Sequence, residues 1–309
     1  MRGYPRCDTI TMSSTLKGII CGVLAAVAYG TNPLFSLNLY SLGMDVESVL
    51  FYRFLFATMG MAVLLRVRHK RILLPSRRNL PPVVIAGLIF AMSSQTLYES
   101  FLYMDAGIAC SILFIYPILV AVIMMVFFRE RASWLVYMCI AVATAGIFLL
   151  YNGKGGEPLS AKGVALVAAS SLCYSVYIVG VNRSMLASVP SGTLTFWVLL
   201  SGCMMFCAFT GFGSRLVPLE PTMFCIVNVL GVALMPTVIP ILFINIAIRN
   251  IGPTYSAIIG ALEPVTALFI GVMVFDETIT MRIAIGCLMI LLAVIGVVLR
   301  TRHKEKDTL

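Results

Sequence analysis

Apolar stretches of about 20 residues alternate with short polar or glycine- and proline-bearing turns along nearly the whole chain. The pattern predicts ten helices, over roughly 17–38, 47–66, 82–104, 107–128, 133–151, 161–181, 192–212, 222–245, 254–275 and 280–299. A hydrocarbon layer about 30 Å thick is crossed by about 20 helical residues. Barrel strands need only about ten. Backbone groups in lipid must be satisfied within a helix or a closed barrel, so runs of this length predict a helical bundle. The expected class is an all-α membrane protein.

The ten runs form two sets. At an offset of 147, Tyr116-Pro117 falls on Glu263-Pro264, Glu130 on Glu277 and Ser133 on Thr280. At an offset of 145, Lys17-Gly18 falls on Lys162-Gly163 and Tyr29 on Tyr174. Two five-helix repeats follow, 17–151 and 161–300, with a polar leader at 1–16, a linker at 152–160 and a basic tail at 301–309. Within the leader, Met12 is a second candidate start. Because the first apolar run continues into a full span, it reads as a retained helix and not a cleaved signal.

Charge gives the orientation. Of the lysines and arginines, 17 fall at the end of the bundle that holds both termini, four fall at the other end, and Arg53 lies inside a span. The positive-inside rule then puts both termini in the cytoplasm. Five spans per repeat is an odd number, so the second repeat is inverted relative to the first. Inverted repeats are a mark of secondary transporters.

Composition narrows the classes further. Hydrophobic residues make up 60% and charged residues 11%, with a mean hydropathy of +1.01. Soluble domains carry about 25% charged residues. The net charge of +9 is accounted for by the cytoplasmic bias and predicts no nucleic-acid partner. Eight of nine cysteines fall in predicted spans, without a CxxC pair or a matching histidine, and read as small packing residues. Both histidines, His69 and His303, stand among basic loop residues, so neither a metal site nor an enzyme active site is expected. Asn152-Gly153-Lys154-Gly155-Gly156 lacks the spacing and following helix of a phosphate loop. No cofactor and no ATP-driven step are expected.

The informative residues are the polar ones at membrane depth, where charge is expensive and faces a cavity or a partner. Glu263 lies near mid-bilayer in helix 9 and Pro264 follows it. A proline frees a carbonyl one turn earlier, and a carboxylate beside freed carbonyls suits a cation, a proton or an amine. Arg53 in helix 2 and Glu99 in helix 3 are placed at similar depth. They are either an ion pair or, for Arg53, a contact to a substrate carboxylate or phosphate. Tyr29 and Asn32 share a face of helix 1, Asn32-Pro33 predicts a kink there, and Tyr174 repeats Tyr29 in helix 6. Gln95 and Tyr98 on helix 3 and Asn245 on helix 8 are further candidate contacts, each equally readable as an interhelical hydrogen bond. Trp197 reads as an interfacial anchor or a pocket wall, and Trp134 as an anchor. Pro33, Pro117 and Pro264 are the predicted helix breaks. Gly18 and Gly22 form a GxxxG face that pairs two protomers or packs helix 1 within one.

Ile115-Tyr116-Pro117 through Ser133, Ala261-Leu262-Glu263-Pro264 through Thr280, and Phe51-Tyr52-Arg53-Phe54 together resemble the EamA-type branch of the drug/metabolite transporter superfamily. The resemblance implies a cavity ringed by helices 1–4 and 6–9, with helices 5 and 10 as outer buttresses. It implies a secondary carrier, often an exporter of amino acids or other small metabolites, working by alternating access in the plasma membrane. It also implies that Glu130 and Glu277 are structural caps at turns. A drug or organic-cation efflux carrier is the alternative. A membrane enzyme, a lipid-handling protein or a non-transporting receptor finds less support, because no catalytic constellation is legible.

Overall fold

A computed structural model describes residues 14–67, 78–129, 134–151 and 160–306. The leader through residue 13, Glu130 and most of the predicted linker lie outside the described residues.

The first repeat comprises α1 (Ser14–Gly30), α2 (Asn32–Ser41), α3 (Val46–Val67), α4 (Leu80–Ser100), α5 (Ala106–Leu113), α6 (Tyr116–Phe128) and α7 (Trp134–Tyr151). The second comprises α8 (Ala161–Arg183), α9 (Ser191–Phe209), α10 (Met223–Ala233), a π turn (Leu234–Val238), α11 (Ile239–Gly260), α12 (Leu262–Phe275) and α13 (Met281–Lys306). Among the described residues, seven stretches are long and apolar enough to cross a bilayer, and Trp134–Ile147, Leu262–Phe275 and Met281–Gly296 are shorter apolar helices. Among the described residues there is no strand.

These segments make the ten expected spans once their breaks are understood. α1 and α2 are one span, broken at Thr31. α5 and α6 are another, broken at Phe114-Ile115. Pro33, Pro117 and Pro264 each stand in the first turn of the helix after a break. The missing N–H costs nothing there, because the first N–H groups of a helix have no intrahelical partner. Each of these prolines thus opens the helix that follows a break in its span.

α11 joins the spans expected at 222–245 and 254–275. A methyl group on Gly22 would lie 3.3 Å from Ile259 and 3.6 Å from Ala247. A straight helix would separate those two residues by about 18 Å. The chain therefore doubles back within α11, between the spans expected at 222–245 and 254–275. α13 runs on to Lys306, through the predicted tail.

The repeat extends to the caps. Arg129 after α6 and Asp276 after α12 are both left-handed, with φ of 55° and 53°. Their N–H groups close onto the carbonyls of Met124 and Gly271, again one repeat apart.

The two ends of the bundle are set by contacts. Gly18 meets Asn250 and Ile251, and Gly192 meets Leu65, at the end nearer the termini. Gly107 meets Glu277 at the far end. The GxxxG face of α1 is thus filled by α11 of the same chain. α7 and α13 pack together on the outside, with Gly146 against the Gly286 carbonyl and Gly296 against Cys139. Tyr98, Phe54 and Phe206 are the largest fully buried side chains.

Candidate functional site

A cavity of about 210 Å³ lies where the two repeats meet. Its wall takes Tyr29 and Asn32 from the α1–α2 break, Tyr116 from the α5–α6 break and Glu263 from the α11–α12 break. Arg53 comes from α3, Phe90, Ser93 and Ser94 from α4, and Tyr174 and Tyr177 from α8. Pro236 and Thr237 of the π turn complete it together with Ile241, Thr195 and Val198. Helix breaks and bulges expose backbone and reorient side chains, and here every such irregularity in spans 1, 4, 8 and 9 faces the same space.

Arg53 forms the positive pole. It is 6% exposed, its Nε donates to Thr237 Oγ1 at 3.2 Å, and its guanidinium carbon sits 5.1 Å from the centre of the Tyr98 ring. Tyr98 is held in turn, its hydroxyl donating to Asn32 Oδ1 and its carbonyl accepting from Tyr40. Glu263 sets a carboxyl on the same wall. Beside it stands a cluster of rings: Tyr116 meets Tyr174 edge-on at 4.8 Å, Tyr174 stacks on Tyr177 at 6.2 Å, and Phe90 leans on Tyr177 at 5.2 Å. Among the described residues neither Arg53 nor Glu263 is in an ion pair.

Of the two readings left open for Arg53 and Glu99, the ion pair does not form among the described residues. Glu99 faces Lys162 at 3.6 Å on the far rim, and Lys162 also donates to the Tyr103 hydroxyl at 2.6 Å. Tyr98 and Glu99 are consecutive on α4, and consecutive helix positions do not share a face. α4 turns Tyr98 to Arg53, so Glu99 points elsewhere. Gln95 also lies outside the cavity wall: its amide donates to Glu47 Oε1 at 3.2 Å, and its own Oε1 is a buried atom without a hydrogen bond. Trp197 packs with Val83, Ala86, Leu194 and Val198 and does not line the cavity. Trp134 is 77% exposed at the start of α7, as an anchor would be. The Asn245 side chain lies outside the described residues.

Sequence reasoning missed Thr237, Tyr177, Phe90, Ser93, Ser94 and Thr195. A signal existed for Thr237, since Pro236 and Pro240 stand four apart inside one predicted span. Among the described residues no group of three or more His, Cys, Asp or Glu side chains could hold a metal ion.

The far end of the seam is stitched by hydrogen bonds across the repeats. Asn38 donates to Asn228 Oδ1 at 3.1 Å, Tyr52 donates to the Val217 carbonyl at 3.1 Å, and Val217 N–H donates to Ser48 Oγ at 3.0 Å. Glu277 is a cap, although of the opposite repeat: its carboxylate accepts from Ala106 N–H at 2.9 Å and Gly107 N–H at 3.4 Å at the start of α5. Negative charge suits a helix N-terminus.

Known proteins share this arrangement. A protein with a solved crystal structure superposes with a TM-score of 0.66 over 93% of this chain and 98% of its own, at 16% identity, which establishes the fold alone. An uncharacterized transporter, YdfC of Bacillus subtilis (strain 168), is 22% identical over 247 residues, or 79% of each chain. The model of the EamA-like transporter family matches twice, at 16–152 and 161–299, once for each inverted repeat. These likenesses point to a transporter and away from an enzyme. The chain, a multi-pass membrane transporter, belongs to the EamA-like transporter family.

Proposed function

We propose that this transporter is a secondary carrier that exports a small polar metabolite, such as an amino acid, by alternating access. The observation that carries the reading is the cavity at the seam of the inverted repeats, faced by one guanidinium, Arg53, and one carboxyl, Glu263. A seam between inverted repeats is where carriers of this type hold substrate. A cargo with both an anionic and a cationic group meets a partner at each pole. Export and an amino-acid cargo follow what the sequence resemblance implies. The lysine and arginine distribution supports both termini being cytoplasmic; the expected setting is a bacterial inner membrane, and the stitched far end then faces outward. The lipid bilayer and the cargo are the expected partners. Because α11 fills the Gly18-Gly22 face, a homo-oligomer would have to form on another surface.

One observation favours a second reading. The rings of Tyr116, Tyr174 and Tyr177 beside Glu263 suit an organic cation, which aromatic faces attract. On that reading Arg53 repels the cargo and its removal speeds transport.

The test compares small molecules in the medium of cells expressing the intact chain, Glu263→Gln, Arg53→Gln or empty vector. A polar zwitterion that builds up only with the intact chain supports the carrier reading. Build-up of a cation that increases with Arg53→Gln supports the second. No difference from empty vector in any compound sinks both for export.

A further inference from the structure

We propose that the π turn at Leu234–Val238 is the anion-reading part of the site, in which Thr237 aims Arg53 at an oxyanion on the cargo, a carboxylate first of all. The inference rests on the carrier reading and narrows its cargo to molecules with an anionic group.

The local logic starts at Pro236. Proline has no N–H to give to the carbonyl of Val232, four residues back. The backbone widens there into a π turn, in which the Ile239 N–H reaches the Leu234 carbonyl. Turns of this kind are frequent at functional sites. The Thr237 hydroxyl supplies the donor that Pro236 lacks, donating to the Val232 carbonyl at 3.4 Å. With its one proton committed, the hydroxyl oxygen can only accept on its other side, and Arg53 Nε donates to it at 3.2 Å. Both bonds are therefore directional. The Arg53 bond crosses from one repeat to the other, because Arg53 belongs to the first and Thr237 to the second.

The guanidinium is fixed by this contact and by the Tyr98 ring 5.1 Å from its central carbon. Of its five N–H donors, Nε supplies one, and the other four sit on the terminal nitrogens, which form the edge that binds a carboxylate through two parallel bonds. Arg53 lines the cavity and, among the described residues, has no carboxylate partner. A buried cation without a counter-charge is costly, and an oxyanion in the cavity supplies one. Thr237 is thus a positioning residue: it touches no cargo in this scheme and acts through Arg53.

The test uses the full chain reconstituted in liposomes. These are loaded with an equimolar pool of L-α-amino acids, or with the same compounds as α-carboxamides, and release is followed by mass spectrometry. The intact chain should release the acids at least about tenfold faster than the amides, as expected for a hydrogen bond to a charged group. Thr237→Val, which keeps the volume and loses the hydroxyl, should raise the half-saturating concentration for acids about tenfold with a maximal rate within about twofold. Thr237→Ser should restore it. Pro236→Ala returns an N–H for Val232, lets the helix close, and should give the same loss by a separate route, so a Thr237→Val protein that fails to fold would not end the test. Equal release of acids and amides by the intact chain overturns the oxyanion proposal and leaves the carrier reading standing. Loss with Arg53→Gln, but none with Thr237→Val or Pro236→Ala, overturns the role of Thr237. Release of neither pool overturns the amino-acid reading and the proposal with it.

Discussion

The proline breaks at Tyr116-Pro117 and Glu263-Pro264 are the same device built twice, and they are held in different ways. Pro117 leaves the carbonyl of Leu113 without its helical donor. Ser171 of α8 donates to that carbonyl at 3.2 Å, and Ser175 donates to the Tyr116 carbonyl at 3.1 Å. One repeat earlier in helix 1, the places of Ser171 and Ser175 are taken by Ala26 and Gly30, which offer no hydroxyl. There the helices simply approach: a methyl on Gly30 would sit 2.5 Å from Thr266 Cβ and 2.6 Å from the Glu263 carbonyl oxygen. The first break is tied by hydrogen bonds and presents a phenol to the cavity. The second is held by close packing and presents a carboxyl. Both copies hold the break, and the carboxyl stands at the one without serine ties.

The sharpest way to break this comparison is to swap the chemistry at the two matched positions. Glu263→Gln should lower transport by on the order of tenfold or more, the scale of a lost bond to a charged group. It should also flatten the pH profile, because an amide does not titrate. Tyr116→Phe, at the matched place, should stay within about threefold, the scale of one neutral hydrogen bond. Proteoliposome flux from acidic to alkaline pH measures both. If the two variants lose equally, the copies share the chemistry and the asymmetry is only structural.

The packing side of the comparison is tested at Gly30 and Ser175. Gly30→Ala should destabilise by about 1–3 kcal/mol, the usual cost of forcing extra volume into a packed site. The methyl meets backbone as well as a side chain, and backbone gives way poorly. Ser175→Ala should cost only about 0.6 kcal/mol, the mean for one interhelical hydrogen bond in a membrane. Chemical denaturation in mixed micelles gives both values. A larger loss at Ser175 would mean that the first break depends on its ties more than the second depends on contact.

Much of this architecture is legible in the amino-acid sequence. Ten spans, the inversion and the three proline breaks follow from run length, charge and repetition, because lipid leaves the backbone few options. Glu263 is legible for a related reason: a lone carboxyl at mid-depth needs an explanation. What a sequence hides is direction around a helix. Run length predicts a similar depth for Arg53 and Glu99, but α4 ends at Ser100 and leaves Glu99 at the rim, and the one-residue step from Tyr98 to Glu99 decides which of them meets Arg53. The π turn is hidden differently. Pro236 and Pro240 announce an irregularity, but whether it becomes a kink or a widened turn depends on Thr237 finding both Val232 and Arg53.

An effect between those of Gly30 and Ser175 is expected at the far-end cap, which belongs to neither break yet joins them. Glu277 follows α12, and its carboxylate closes the start of α5, so it links the spans that carry Glu263 and Tyr116. Glu277→Ala should cost about 1 kcal/mol, the usual worth of a helix cap with a favourable charge. Glu277→Gln, which keeps an acceptor, should recover part of it. Thermal unfolding of the two variants separates the hydrogen-bond share from the charge share, and equal losses would assign the effect to charge.

The smallest effect should come from Glu99, the carboxylate that Arg53 does not meet. Glu99 faces Lys162 at the rim, with side chains 32% and 58% exposed. Exposed ion pairs gain little, because water and salt screen them and two long side chains must be ordered to make them. Glu99→Gln should leave unfolding temperature and flux unchanged within error, at low salt as well as high. Arg53→Gln, measured alongside, should not. This contrast carries weight because run length predicts a similar depth for both residues, whereas α4 leaves Glu99 at the rim and α3 buries Arg53 in the cavity. If Glu99→Gln lowered flux as Arg53→Gln does, Glu99 would have to turn toward Arg53 at some point of the transport cycle. The guanidinium would then spend part of that cycle on a protein carboxylate that competes with the cargo.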